Sequence, residues 1–443
     1  MLKSIRSIFK IPELRKRILF TLGMLVVVRI GSHIVLPGVN SSVVLEFMRE
    51  AEGGGLFGFY DFFVGGALGK ATLFALSIAP YFTAKEVVEW LGVFIPFLRR
   101  LQMEGDEGRQ KLYKYTRYMT IVFAIIEAYG MSLFIEKIHT SNGMYAVSNP
   151  DWGFRIHAIF TLAAGAILIM YICELITVHG ISNGVNVVVF GGIVSHLPNA
   201  CIGIITQIKN RELNYLTVII LIFLLVLTVA ITVLMFKGSR KIPVIHERRE
   251  IGRRVSDDET KLVSINLIIS KIEPLVIAQS VVLVPITLKI IFPSSQFFHK
   301  FVSYFNVQSW IYLLVFCLLV IFYTYFYNII IFDTRNKAHN LKISGRLIPG
   351  VKPGIQTAKF LDNILNKITL PGAIFLAIIA VFPHFVVSVS EVSYEFAFFL
   401  GGTRLLILVS IALQIILDIE SNLFMRHYNG FLRSPKRKGR GRY

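Results

Sequence analysis

Long apolar segments recur along the whole chain, and they leave few folds open to it. Windows of about 19 residues identify ten runs that can each cross about 30 Å of hydrocarbon. These predicted spans are 18–37, 71–93, 118–136, 154–176, 185–206, 214–236, 266–291, 309–332, 368–387 and 397–417. Only 16% of the 443 residues are charged, against about a quarter in soluble proteins. The sequence therefore predicts an all-α polytopic membrane protein. No signal-peptide cleavage site follows the first run, which we interpret as a retained span.

Basic residues are distributed unevenly between the connections of these spans. Of the 46 Lys and Arg residues, 34 lie in the two termini and in the loops 94–117, 237–265 and 333–367, and only 7 lie in the alternate connections. Because basic connections stay in the cytoplasm, we expect both termini and these three loops to be cytoplasmic. The basic runs at 237–254 and at the C-terminus exceed what topology needs, and they would attract anionic lipid, RNA phosphate or an acidic partner.

Ten spans divide naturally into two halves of five. An odd number of spans per half inverts the second half relative to the first, as in the inverted repeats of many transport proteins. The predicted organisation is a cytoplasmic segment 1–17, an N-terminal half 18–206, a C-terminal half 207–417 with the cytoplasmic loops 237–265 and 333–367, and a basic cytoplasmic tail 418–443.

One apolar segment, 55–66, is too short to cross the membrane. It lies directly before the second span, on the predicted outer side, and glycines frame it. Such a segment can be an interfacial or re-entrant half-helix. Alternatively, it is a mobile stopper that folds into a cavity, with the glycines as hinges. Its large side chains are Leu56, Phe57, Phe59, Tyr60, Phe62 and Phe63.

Motifs for covalent chemistry are missing from the sequence. The GGALGK stretch at 65–70 has neither the spacing nor the following Ser or Thr of a phosphate-binding loop, and no HExxH motif occurs. The GISNG stretch at 180–184 has the letters of a GxSxG motif, but it joins two predicted membrane spans rather than the strand and helix that a nucleophile elbow needs. We therefore expect no enzyme activity, no cofactor and no metal site, and we expect a partner or a gradient to supply the energy.

Ionisable residues within the predicted spans indicate function by default. They are Arg29, Lys85, Glu86, Glu89, Glu127, Glu174, Lys271, Glu273, Lys289 and Arg404. Lys85 and Glu89 are four residues apart on one helical face, so they can pair locally. An ion-coupled secondary transporter would use such charges. On these residues alone, a transporter and a channel are both possible.

Six motifs in the same order resemble those of the SecY family, the central subunits of protein-conducting channels. They are GGALGKATLFALSIAPY (65–81), EGRQKLYKYTRY (107–118), GISNGVNVVVFGGIV (180–194), IPGVKPGIQTAKFL (348–361), GGTRLLILV (401–409) and IESNLFMRHYNGFL (419–432). The resemblance covers essentially the whole chain and makes the transporter the weaker alternative. It implies a central pore between the two halves, a plug at 55–66 and a lateral gate to lipid. Unfolded secretory proteins would cross through the pore, and membrane segments would leave through the gate.

By motif, the resemblance also implies a ring of apolar side chains that narrows the pore. The ring residues would be Ile78, Phe82, Val185, Val189, Val276 and Ile407. Side chains without hydrogen-bonding groups let a constriction dewet and block ions, yet they can yield around a passing chain.

The basic loop GRLIPGVKPG (345–354) matches a cytoplasmic loop of the family. The resemblance implies that it docks the SecA motor or the ribosome, and its two Pro-Gly pairs (349–350 and 353–354) would stiffen the tip. Lys352 stands where the family usually has arginine, so it keeps the charge and loses the bidentate geometry. The predicted partner-binding residues are Arg240, Lys241, Arg248, Arg249, Arg253, Arg254, Arg346, Lys352 and Lys359.

Charges in spans 2 and 7 depart from the family, which is mostly apolar in the segment TAKEVVEW (83–90). In the resembled fold these two spans face each other across the lateral gate. We expect opposite charges to pair across the closed gate, with Glu89 and Lys271 as the first pair to test. The alternative is that each group reaches lipid headgroups separately. The predicted gate charges are Lys85, Glu86, Glu89, Lys271 and Glu273.

The resemblance implies a set of partners and a location. The partners would be SecE-like and SecG-like small membrane subunits, the SecA motor, the ribosome, unfolded polypeptides with signal sequences, and the lipid bilayer. The location would be the bacterial cytoplasmic (inner) membrane.

Overall fold

The structure is a computed structural model that describes residues 11–50, 61, 65–140, 143–211, 213–246, 261–268, 273–291, 309–390 and 401–432. The chain forms two compact units. The first unit comprises Met1–Leu197 and Ile411–Tyr443, and the second comprises Pro198–Ser410.

Helices build the first unit. In chain order they are α1 (Pro12–Gly31), α2 (Ser41–Glu50), α3 (Ala79–Phe94), α4 (Pro96–Met103), α5 (Asp106–Lys137), α6 (Trp152–His179) and α7 (Gly184–Ser195). Helices α3 and α6 both pack on α5, while α1 and α7 pack on α6.

Residues with specific backbone roles set the starts of these helices. Pro12, Pro80 and Pro96 each stand in the first turn of a helix, where a missing N–H costs nothing. Asn183 caps α7 by accepting a hydrogen bond from the Val185 N–H at 3.0 Å. A Cβ on Gly184 would overlap the backbone carbonyl of α6, so glycine lets α7 begin in close contact with that helix.

The second unit contains helices and three short strands. In chain order they are α8 (Leu197–Lys209), α9 (Tyr215–Lys237), β1 (Ser239–His246), β2 (Lys261–Asn266), α10 (Glu273–Ile291), α11 (Trp310–Ile331), α12 (Thr334–Ile343), β3 (Arg346–Leu347), α13 (Ile355–Ser390) and α14 (Gly402–Leu432). Helix α8 begins at the last residue of the first unit, and α14 continues into the first unit from Ile411. Helix α11 packs on both α10 and α13.

Three short strands occur in this mostly helical chain. They form one antiparallel sheet in the order β2-β1-β3, in which Ser239 pairs with Asn266 and His246 pairs with Arg346. Its inner face and the adjoining helices share a core made of Ile242, Val244, Ile265, Phe332, Ile348, Leu361, Ile364, Leu365 and Ile368. The sheet therefore joins the loops 237–265 and 333–367 into one packed body.

Helices occupy the greater part of all ten predicted spans. In the part of the chain that the structure describes, 7 helical segments are long and apolar enough to cross a membrane. In span 7, Asn266 belongs to β2, and the described helix runs over Glu273–Ile291. Span 9 extends back to Ile355, well before its apolar run, because the start of α13 packs on the core below the sheet.

Candidate functional site

Four predicted ring residues lie at the starts of two helices in the first unit. Ile78 precedes α3, and its carbonyl oxygen accepts a hydrogen bond from the Phe82 N–H at 3.0 Å. Val185 and Val189 lie one turn apart on one face of α7. Ile78 and Val189 are buried and Val185 is half-buried, whereas Phe82 is 39% exposed.

The chain enters α3 through a tight coil. Ala71 and Ser77 adopt positive φ angles of 46° and 48°, which are uncommon for residues other than glycine. Ser77 directly precedes Ile78 and is itself buried. Strained backbone of this kind persists where the surrounding structure holds it in place. The backbone that leads into Ile78 is therefore held in one conformation.

The other two predicted ring residues lie in the second unit. Val276 is half-buried in the first turn of α10, and Ile407 is 1% exposed in the second turn of α14. Both are again near the N-terminus of a helix. The structure thus places the six residues in four helix starts, and the ring itself stays a prediction.

Within the predicted plug segment 55–66, the structure describes Asp61, Gly65 and Gly66. Its six large side chains, from Leu56 to Phe63, lie outside the described residues. Within this segment, the Asp61 carboxylate accepts a hydrogen bond from the Gly69 N–H at 2.9 Å. Arg29 of α1 donates to the Gly65 carbonyl oxygen at 2.7 Å. An arginine of the first predicted span therefore anchors the C-terminal end of the predicted plug.

The basic loop has a defined backbone and an exposed tip. Val351 donates its N–H to the Ile348 carbonyl oxygen at 3.1 Å, and Gly350 has φ +79°. Together with Pro349 this is the pattern of a type II turn, which favours glycine at its third position. The Lys352 carbonyl accepts a hydrogen bond from Thr357 at 2.9 Å, while the Lys352 side chain is exposed.

The other predicted partner-binding residues fall into two groups. Arg240, Lys241 and Lys359 are exposed, and Arg346 is half-buried in β3. The remaining four, Arg248, Arg249, Arg253 and Arg254, lie outside the described residues. Exposed basic side chains thus lie on both loops that the sheet joins.

The predicted gate charges are described in part. Lys85 and Glu89 form the local pair that their spacing predicts, with 3.7 Å between Nζ and Oε1. Glu86 lies on the same helix, and Glu273 is the first residue of α10. Lys271 lies outside the described residues, so pairing of Glu89 with Lys271 stays a prediction.

Other charges in the predicted spans have local partners. Arg117 of α5 forms an ion pair with Glu174 of α6 at 2.5 Å. Thr83 of α3 donates a hydrogen bond to Glu127 of α5 at 3.0 Å. These contacts tie neighbouring helices of the first unit together. Among the described residues, no group of three or more His, Cys, Asp and Glu side chains could hold a metal ion.

Sequence reasoning missed uncharged polar side chains that join helices of the second unit. Gln279 of α10 contacts Tyr312 of α11, and Asn328 of α11 donates to Thr369 of α13 at 2.9 Å. The amide side chains in these apolar spans could have predicted such contacts between helices, because polar groups within membranes need partners.

Solved structures define the class of protein to which this fold belongs. A structure of a protein-conducting channel matches with a TM-score of 0.59 at 17% identity, over 94% of this chain and 96% of that one. Canine Sec61, from a ribosome–channel complex of the endoplasmic reticulum, matches with a TM-score of 0.55 at 17% identity, over 94% and 96%. The predicted helical, polytopic fold is confirmed as that of a protein-conducting channel.

Sequence relatives then identify the family. The SecY family matches residues 72–416. The protein translocase subunit SecY of Aquifex aeolicus is 34% identical over 434 residues, which are 98% of this chain and 100% of the relative. This chain belongs to the SecY family.

Proposed function

We propose that the chain is the pore-forming subunit of a Sec translocon. It passes unfolded secretory proteins across the membrane and releases membrane segments laterally into the bilayer. The observation that carries this proposal is the full-length similarity to SecY translocase subunits, together with the fold of a protein-conducting channel.

The ion-coupled transporter has no comparable support. The relatives are translocase subunits, and charges that suggested ion coupling have local partners. Glu174 pairs with Arg117, and Lys85 pairs with Glu89. Such pairs hold helices together without requiring a transported ion.

The pore ring and the plug are parts of the proposal. Ile78, Val189 and Ile407 are buried aliphatic side chains at helix starts, which suits a dry constriction. The hydrogen bond from Arg29 to the Gly65 carbonyl oxygen supports a plug whose C-terminal end is anchored.

The basic loop is proposed as the docking site of an energy-supplying partner. Its type II turn and the contact between Thr357 and Lys352 fix the tip, so little conformational entropy is lost on docking. The exposed Lys352 then presents its charge to SecA or to ribosomal RNA. Arg240 and Lys241 of β1 are also exposed, in the other cytoplasmic loop that the sheet joins.

The remaining assignments follow the family. SecE-like and SecG-like subunits would cover part of the lipid-facing surface, and signal-bearing polypeptides would be the cargo. The uneven distribution of basic residues supports a cytoplasmic position for both termini. We place the protein in the bacterial inner membrane.

Reconstitution tests the proposal. The chain is purified with its associated membrane subunits, incorporated into vesicles, and supplied with SecA, ATP and an unfolded signal-bearing polypeptide. We expect protease-protected polypeptide that depends on ATP and on the signal sequence. No protection, combined with uptake of a small solute driven by an ion gradient, would instead support the transporter.

A further inference from the structure

One side chain, Gln279, joins three helices of the second unit. Its Nε2 donates a hydrogen bond to the Tyr312 hydroxyl on α11 at 3.1 Å. Its Oε1 accepts one from the Thr403 hydroxyl on α14 at 3.4 Å. Tyr312 and Thr403 are only 1% and 5% exposed. Both ends of the Gln279 amide are therefore used between helices, in a region where polar contacts specify helix packing.

These contacts lie one turn away from two predicted ring residues. Gln279 follows Val276 by three positions on α10, a rise of about 4.5 Å, and Thr403 precedes Ile407 by four on α14, a rise of about 6 Å. In the predicted topology α10 runs outward and α14 runs inward. Both polar groups therefore lie on the outer side of the ring residues.

The two hydrogen bonds of Gln279 differ in length and therefore in strength. The contact with Tyr312 is within the normal range for N–H···O, whereas 3.4 Å is long for O–H···O. The Tyr312 ring is also held by Phe316 and His384, with ring centroids 6.4 and 6.0 Å away. Since α10 packs on α11 as well, the contact with Thr403 is the one that breaks more easily.

We propose that Gln279 is a positioning residue that holds α10 in the closed channel, with Tyr312 as its fixed partner and Thr403 as its releasable one. When α10 and α11 move away from α14, the contact between Gln279 and Thr403 breaks and the seal formed by Val276 and Ile407 opens. This inference rests on the proposed function, because the ring belongs to that proposal.

Removal of the Thr403 hydroxyl is the direct test. Thr403→Val keeps the shape of the side chain and removes the contact. We expect the resting ion leak and the export of signal-defective substrates to rise about 3- to 10-fold, as loss of one interhelical hydrogen bond would produce. Channel abundance should not change. Thr403→Ser keeps the hydroxyl, so its resting ion leak should equal that of the wild type.

A matched control uses the same chemical change at a different contact. Thr369→Val removes the buried hydrogen bond to Asn328 between α11 and α13. We expect it to lower thermal stability without raising the leak. If Thr403→Val and Thr369→Val raise the leak equally, or if neither raises it, Gln279 has no positioning role.

A comparison with the single variant Ile407→Asn separates this inference from the function on which it rests. If Ile407→Asn leaks and Thr403→Val does not, the Gln279 inference fails while the ring stands. If Ile407→Asn does not leak either, the ring assignment fails. In Gln279→Met, the further change Thr403→Val should add nothing, since the contact is already lost. An additive effect would overturn the proposal.

Discussion

At the scale of single residues, Lys352 combines an exposed charge with a fixed backbone. Its carbonyl is held by Thr357, and a type II turn precedes it. We predict that Lys352→Glu reduces SecA-driven translocation about 3- to 10-fold, because charge reversal slows and weakens docking. Channel abundance should stay the same. The measurement is ATP-driven translocation into vesicles, normalised to channel abundance.

Lys342 provides the control for this prediction. It is exposed on α12, in the same predicted cytoplasmic loop. Lys342→Glu makes the same change of net charge outside the turn, so translocation should stay near the wild-type level. Equal losses for both variants would show a general effect of charge rather than docking by Lys352.

Ile407 is the second residue-scale test. It is 1% exposed, and an amide at this position would favour water in the constriction. We predict that Ile407→Asn raises the resting ion leak severalfold and relaxes the requirement for an intact signal sequence. Ile407→Leu conserves volume and apolarity and should keep the seal. Wild-type leak and selectivity in Ile407→Asn would show that this residue does not line the ring.

At the scale of structural elements, the sheet makes the two cytoplasmic loops one body. Val244 of β1 is 2% exposed and packs in the core shared with α13. We predict that Val244→Asp costs about 3 kcal/mol of local stability, because it buries a charge without a partner. Limited proteolysis should then cut faster in the loop 333–367, although the substitution lies in the other loop. Leu262→Asp, at a 58% exposed position of β2, should leave that rate unchanged.

The lateral gate gives a prediction about two elements. A double-mutant cycle on gate opening, with Glu89→Gln and Lys271→Gln, should show a coupling of about 1–3 kcal/mol if the charges meet across the closed gate. The cycle of Glu89 with Lys85, an exposed pair at 3.7 Å, should give about 0.3–0.5 kcal/mol. Zero coupling between Glu89 and Lys271 would mean that the two groups reach the membrane surface separately.

Elements could be predicted from the sequence to different degrees. Long apolar runs predict helices reliably, because the bilayer leaves the backbone few alternatives. The sheet was missed because its strands are short and carry Arg240, Lys241 and Pro243. The alternation of buried Ile242 and Val244 with exposed neighbours was the available signal. The ring came from family resemblance alone, since one more aliphatic residue in an apolar helix carries no signal of its own.

At the scale of the whole molecule, the fold and the family agree on a protein-conducting channel. We propose that a partner supplies the energy, and the basic loops joined by the sheet are the proposed place where this partner docks. The helix starts that carry Ile78, Val185, Val276 and Ile407 are the proposed place where the polypeptide passes. A short apolar constriction of this kind can dewet and block ions when the pore is empty. Its side chains can also yield around a polypeptide in transit.

The most direct test is to ask which residues touch a polypeptide halted in transit. A signal-bearing substrate with a folded C-terminal domain is stalled in the reconstituted channel, and a photoreactive side chain is placed at position 189, 407 or 219. We predict crosslinks to the substrate from Val189 and Ile407. None should form from Ile219, which is 68% exposed on α9. Translocation with crosslinks from Ile219, and none from Val189 or Ile407, would contradict the proposal that the polypeptide crosses through the ring.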